Sequence, residues 1–282
     1  MEKAIPPALS WLDQWLSRSW TTAPADYQWL LLQTLATAAS RRAWIESWPS
    51  VADGLVIDLG CGPGIMAQEI AALKSCRVVG YDRDAVILDM AQSLNHLLDQ
   101  GAAVRFRVAD VLEEEGNGEA NAVVSRFVTQ YIPDLSRFFR QVKTHVAPGG
   151  FVAIEDVDDG YLIEYPEPPS AWKAAVGAFQ RYQQGPGGDR FVGRKLAEAG
   201  VQAGLRLVGV ALNPSVYAGQ MEMQDVTVQF DIERIDRVVP QMIQQGLITE
   251  QAWILAKSEY RASFPHFSYV SSATMRLLFL VP

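Results

Sequence analysis

An α/β fold, with a mostly parallel sheet covered by helices on both faces, is predicted by three features of the 282-residue sequence. Short apolar runs alternate with helix-period stretches from residue 54 to residue 158, and strand–helix alternation of that extent means right-handed βαβ units. The first apolar run ends in Gly60-Cys61-Gly62-Pro63-Gly64, a turn of the kind that carries a buried strand into a helix. Of the residues, 49% are hydrophobic and 20% charged, which supplies a sizeable core and argues against wholesale disorder.

Residues 1–50 read as a helical cap rich in tryptophan: Trp11, Trp15, Trp20, Trp29, Trp44 and Trp48. Leu9, Leu12 and Leu16 recur at helical spacing, and Asp26 is expected to cap a second helix through Trp29, Leu32 and Leu35. The core then occupies 51–212. Leu55–Leu59 is its first strand, followed by a helix over 63–73 with proline in the first turn. A strand over 77–81 leads to Asp84, which caps a helix whose apolar positions Ile87, Met90, Leu94 and Leu97 recur every three or four residues. Strands follow over 104–109 and 122–125, separated by the solvated stretch 113–118. Asp134 caps the next helix, whose stripe is Leu135, Phe138, Phe139, Val142 and Val146, and Pro148-Gly149-Gly150 ends it before a strand over 151–154. Residues 160–204 read as loop and helix elaborating one side of the core, and 206–212 as a strand. Residues 213–265 form a helical insertion with helices over 231–246 and 249–261. A strand over 268–281, within a last segment 266–282, returns to the core.

A net charge of −8 argues against a nucleic-acid partner, because phosphate backbones call for a basic face and no Lys/Arg cluster is denser than Arg41-Arg42. The apolar stretches at 29–35 and 277–281 are too short to span a bilayer, and the first residues lack the basic start and apolar run of a secretory signal, so no membrane partner and a cytoplasmic location are expected. Cys61 and Cys76 have no metal-site spacing and read as small buried hydrophobes; no metal is expected. The sequence sets no oligomeric state.

Ligands of open parallel sheets sit beyond the carboxyl ends of the strands. Four features fall at such ends. Gly60, Gly62 and Gly64 allow a tight turn and a close backbone approach beside a helix N-terminus. Asp82 ends the second strand, about twenty residues past the glycines, where a carboxylate grips a ribose diol. Asp110 ends the third strand and suits an exocyclic amine. Ser125-Arg126-Phe127 follows the fourth.

On these residues the chain resembles the class I S-adenosylmethionine-dependent methyltransferases that act on small molecules. Val56-Ile57-Asp58-Leu59-Gly60-Cys61-Gly62-Pro63-Gly64 resembles the family's first motif, Val79-Gly80-Tyr81-Asp82 its second and Val108-Ala109-Asp110-Val111 its third. The segment 122–134 is similar to its fourth, and 135–156 to the helix and strand that follow. Gly187-Gly188-Asp189-Arg190, Gly193-Arg194 and the helical stretch 223–262 are similar to a bacterial branch of the family. The resemblance implies a Rossmann-like seven-stranded sheet with its last strand antiparallel and a helical insertion covering the active site. It implies S-adenosyl-L-methionine as cofactor and a small-molecule methyl acceptor as partner. Carried over by position, Gly60 and Gly62 approach the methionine moiety with Asp58 nearby, Asp82 binds the ribose hydroxyls and Arg83 lies along the adenine. Asp110 takes the adenine amine with the Val111 N–H close to the ring, the Arg126 backbone borders the amino end, and Tyr27 closes over the cofactor.

Methyl transfer from a sulfonium is an in-line displacement that needs alignment in a dry pocket but no nucleophilic residue, so the catalytic group is the least legible part. Candidate bases are His266 and, in the acidic cluster after the fifth strand, Glu155 and Asp156, beside Asp158 and Asp159. Gln130, Tyr131, Tyr161 and Trp172 are candidate walls of the acceptor pocket. Two other readings stand: the same fold binding S-adenosylmethionine with a non-methylating or vestigial activity, and, more distantly, an NAD-dependent oxidoreductase. The latter lacks the Gly-x-Gly-x-x-Gly spacing, since Ile65 stands where the third glycine belongs.

Overall fold

The computed structural model describes residues 7–98, 103–218, 224–263 and 269–282. Five parallel strands, β1 (Leu55–Leu59), β2 (Arg77–Asp82), β3 (Val104–Val108), β4 (Ala120–Arg126) and β5 (Val146–Val157), lie in the order β3-β2-β1-β4-β5. The last strand, β8 (Tyr269–Leu280), runs antiparallel beside β5, and β7 (Arg206–Ala218) pairs antiparallel along its other edge. These are the seven expected strands. An eighth, the three-residue β6 (Ile163–Tyr165), continues along the β5 edge of β8 by pairing with Tyr269, Val270 and Ser271. Strand order reverses between β1 and β4, which is where an open α/β sheet offers a crevice.

Period-two alternation divides the core between the two faces of the sheet. Ile57, Leu59, Val123, Val152 and Ile154 pack with Phe138, Phe139 and Phe279 on one side, while Val56, Val78, Val124 and Ala153 pack with Ile70, Trp44 and Trp48 on the other. The first face is covered by α6 (Leu135–His145) and α8 (Leu196–Gln202), and the second by α3 (Ala38–Ser47) and α4 (Ile65–Lys74). α5 (Ala85–Leu97) begins at the expected cap, where Asp84 Oδ1 accepts from the N–H groups of Val86 and Ile87 at 3.0 and 3.3 Å. Asp134 caps α6 in the same way, accepting from the Arg137 N–H at 2.9 Å. α1 (Pro7–Ser19) buries Leu9, Leu12 and Leu16 as their spacing predicts.

Three local expectations are corrected. Asp26 does not cap α2 (Ala25–Ala36): Pro24 holds the cap position with its fixed φ, and Asp26 lies in the first turn. The helix expected over 231–246 is two helices, α9 (Gln224–Asp236) and α10 (Val239–Gln244), because a helix continued through Pro240 would set its ring against the carbonyl of residue 236. The strand expected to end at Leu212 runs on to Ala218, since β8 offers partners over its whole length. α7 (Ser170–Gln184) crosses beside α11 (Glu250–Ser263), and with α9 and α10 they bury a separate apolar cluster around Trp172, Phe179, Ile235, Met242 and Trp253. Among the described residues no helix is long and apolar enough to cross a membrane.

Candidate active site

A cavity of about 1280 Å3 opens at the carboxyl ends of β1, β2 and β4 and extends beneath α7, α9 and α11. That volume exceeds what one drug-sized ligand needs, roughly 300–1,000 Å3, and suits two molecules side by side.

At the β1 end the chain turns through three left-handed glycines. Gly62, at φ 52°, has open space where a Cβ would stand and lines the cavity with bare backbone. Gly64, at φ 72°, is closed on the other side: a Cβ there would overlap the Phe106 ring and the Ala91 methyl. Gly64→Ala is therefore expected to combine left-handed strain of about 1–2 kcal/mol with overpacking of about 1–3 kcal/mol, read as a lower urea midpoint. Gly62→Ala is expected to lose only the strain.

Two carboxylates flank this turn. Asp82 ties β2 to it, Oδ2 accepting from the Gly62 N–H at 2.8 Å and Oδ1 from the Asp84 N–H at 3.0 Å. Asp58 is 1% exposed, and its Oδ2 has no hydrogen-bond partner among the described residues. Burial, reinforced by Asp82 and opposed by Arg126, pushes the Asp58 carboxyl up to about 7. The sign follows from the ordinary value of 3.8. Below pH 4 both states are protonated and the group is neutral to stability. From pH 4 to 7 the unfolded chain ionises while the fold resists, so stability falls by up to about 4 kcal/mol. Asp58→Asn is expected to flatten that decline in urea unfolding of the ligand-free protein between pH 4 and 7.

The remaining expected cofactor residues gather at the same end. Tyr27 lines the cavity and donates to Asp84 Oδ2 at 2.8 Å, and burial with that bond pushes its phenol up to about 12. Arg83, Asp110 and Val111 line the cavity beyond β2 and β3, with Asp110 exposed and its Oδ1 accepting from the Leu112 N–H at 2.9 Å. Gly60 and Arg126 border it from β1 and β4, and Phe127 follows at φ 60°, a left-handed conformation uncommon for a bulky residue.

Neither described candidate base is available. The register sets Arg126, Glu155 and Arg276 side by side across β4, β5 and β8. Glu155 is fully buried, ion-paired with Arg276 at 3.2 Å and accepting from Arg126 Nε at 2.7 Å, Thr274 Oγ1 and Asn213 Nδ2. Burial raises its pKa, but the two guanidiniums more than offset that and hold it below the ordinary range, so it is a poor proton acceptor. Asp156 is also fully buried, with Thr129 Oγ1 (2.6 Å), Gln130 and the Val157 N–H donating to it. Both lie within β5, outside the cavity. His266 lies outside the described residues.

Gln130, Tyr131 and Trp172 line the cavity as expected; Tyr161 does not, standing on the outer surface after the turn at Asp159. Gln130 accepts from Arg190 Nη1 at 2.7 Å, and Arg190 pairs with Asp159 at 2.7 Å. Trp172 stacks on Tyr260 with ring centres 3.8 Å apart. Sequence reading missed Glu164, a cavity carboxyl on β6; burial and Asp231 push it up to about 7, against the pull of Arg234. It also missed Gln183, Arg234 and Arg237, which approach from helices whose relation to the sheet no local pattern reveals.

The sequence matches, over residues 32–210, the family described as a methyltransferase domain. The chain belongs to that family. A ubiquinone biosynthesis O-methyltransferase of Pseudomonas putida strain GB-1 is 32% identical over 117 residues, 41% of this chain and 49% of the relative, so the chain spans about half the length of that relative. Its counterpart in Cupriavidus pinatubonensis is 29% identical over 187 residues, 62% of this chain and 70% of the other. Among solved structures, geranyl diphosphate C-methyltransferase of Streptomyces coelicolor A3(2), in complex with S-adenosyl-L-homocysteine, aligns with TM-score 0.53 and 16% identity over 86% of this methyltransferase-family chain and 76% of that one. A geranyl diphosphate methyltransferase in complex with S-adenosylmethionine aligns with TM-score 0.55 and 16% identity over 91% of each chain. At that identity the likeness is one of fold.

Proposed function

We propose that this methyltransferase-family chain binds S-adenosyl-L-methionine at the β1–β2 end of the cavity and transfers its methyl group to a small molecule held beneath α7 and α9. The observation that carries the reading is Asp58: a buried carboxylate oxygen with no hydrogen-bond partner among the described residues, beside a bare glycine backbone and lining a cavity. An uncompensated buried carboxylate calls for a cation or donor, and the ammonium of a methionine moiety is such a group. In this reading Asp82, which ties down Gly62, also binds the ribose hydroxyls. Asp110 and the Val111 N–H suit the adenine edge, Arg83 its face, and Tyr27, held by Asp84, a covering role. Bound there, the cofactor supplies a sulfonium methyl open to in-line attack by an oxygen, nitrogen or carbon nucleophile.

The chain's own contribution is then alignment and exclusion of water. Helices α9–α11 of the insertion act as the cover, since Phe230, Arg234 and Tyr260 line the cavity. Where the acceptor must lose a proton, Glu164 is the group suited to hold it at a carboxylate oxygen, with a pKa raised toward neutrality. Isothermal titration with S-adenosylmethionine tests the reading, followed by assay of S-adenosylhomocysteine release with candidate acceptors. Micromolar cofactor binding is expected, tightening as pH rises through 7 because ionised Asp58 pairs with the ligand cation, and Asp58→Asn is expected to lose that pH dependence. Absence of binding by the native chain overturns it.

A further inference from the structure

Beyond the cofactor residues, the cavity wall holds buried donors in excess. Gln183 is 5% exposed, and neither its Nε2 nor its Oε1 has a hydrogen-bond partner among the described residues; the Nε–H groups of Arg234 and Arg237 are buried and unpartnered as well. All three residues line the same cavity. Gln183 and Phe179 lie one turn apart on α7, and the Arg234 guanidinium sits 5.9 Å from the Phe179 ring. Tyr131 lines the same cavity and is part-exposed there; burial of its hydroxyl pushes the phenol up, Arg237, Arg190 and Arg234 oppose that, and Asp156 adds to it.

Two of the three guanidiniums are directly paired. Arg190 is matched by Asp159 at 2.7 Å, and Arg234 by Asp231 at 3.2 Å, the latter also accepting from Tyr260 at 2.9 Å. Arg237 has no carboxylate partner among the described residues; its guanidinium lies 4.5 Å above the Trp29 ring, which leaves its N–H edges free for an in-plane acceptor. Asp158 is taken by Arg194, and Glu164 stands with Asp231 and Tyr260. A partly buried guanidinium and an unpartnered amide lining one cavity, with a tyrosine in the same wall, make a receptor for an oxyanion. Around them Phe179, Phe230, Trp172 and Leu162 are apolar.

Resting on the methyl-transfer reading above, we propose that the acceptor is itself an anion: an apolar body carrying a carboxylate or phosphate, seated on Arg237 and the Gln183 amide with Tyr131 alongside. The free Gln183 Oε1 takes a hydroxyl or amine of the same molecule.

The test uses the full chain saturated with S-adenosylhomocysteine, titrated with sodium benzoate, sodium phosphate and the neutral benzamide. One of the two anions is expected to bind about tenfold or more tighter than benzamide, benzoate marking a carboxylate site and phosphate a phosphate site. Arg237→Met is expected to remove that preference, and Gln183→Leu to weaken the preferred anion about threefold, while both keep the native affinity for S-adenosylhomocysteine. If neither anion outbinds benzamide on the native protein, or if Arg237→Met keeps the preference, the proposal is overturned. The cofactor titration is a separate readout: failure of S-adenosylhomocysteine to bind defeats the methyl-transfer reading, whereas loss of anion preference on the loaded protein defeats only this one.

Discussion

Asp82→Ala is expected to weaken S-adenosylhomocysteine binding about a hundredfold or more. The carboxylate does two jobs at the end of β2. It accepts from the Gly62 and Asp84 N–H groups, and in the proposed reading it also binds the ribose. Removing it strips both amides of their acceptor and unties the glycine turn from β2. The two stranded amides lower the stability of the turn, at about 1–3 kcal/mol for each donor left unsatisfied, whereas the hundredfold loss of affinity comes from the two ribose hydroxyls left without their acceptor, at a similar cost each. Asp82→Asn retains one acceptor oxygen and is expected to fall between the two. Calorimetry measures the binding and urea unfolding the stability. An alanine variant that binds within about threefold of native would remove Asp82 from the cofactor site.

Why was this end of the molecule legible and the other not? The residues that meet the cofactor side sit at the ends of consecutive strands, and a strand end is a local event: an apolar run stops and a glycine or aspartate follows. Asp82 and Asp110 announced themselves in that way. Glu155 and Asp156 follow an apolar run too, but β5 continues past them to Val157, because β4 and β8 supply partners there. Their fate was decided by register with Arg126 and Arg276, which is pairing information absent from local sequence. The acceptor half was less legible still. Gln183 and Arg237 are ordinary polar residues on helices, and only the packing of α7 against α9–α11 turns them toward a common space.

The second large effect lies at Glu69, on α4. Its carboxylate is fully buried and accepts from Arg41 Nη2 at 2.7 Å and Arg42 Nε at 2.8 Å; Arg42 pairs in turn with Asp13 of α1 at 2.7 and 2.6 Å, and Arg41 Nη1 donates to the Thr34 carbonyl of α2 at 2.8 Å. One carboxylate thus fastens three N-terminal helices to the sheet-covering α4. Arg41 and Arg42, the densest basic pair in the sequence, point inward. Glu69→Ala leaves Arg41, with a side chain 1% exposed, buried and without its counter-charge. Breaking a buried pair in this way costs about 3–5 kcal/mol, a fall in melting temperature of about 10 °C for a chain of this size. Glu69→Leu combined with Arg41→Met is expected to recover much of the loss, because an apolar pair has no charge to strand. Thermal and urea unfolding of the single and double variants give the measurement, and a single variant within about 1 kcal/mol of native would show the network to be dispensable. Arg41 also lines the cavity, and Tyr27 stands on the α2 that this network anchors. Glu69→Ala is therefore expected to weaken cofactor binding as well, through loss of the wall that holds Tyr27 rather than through any contact of its own.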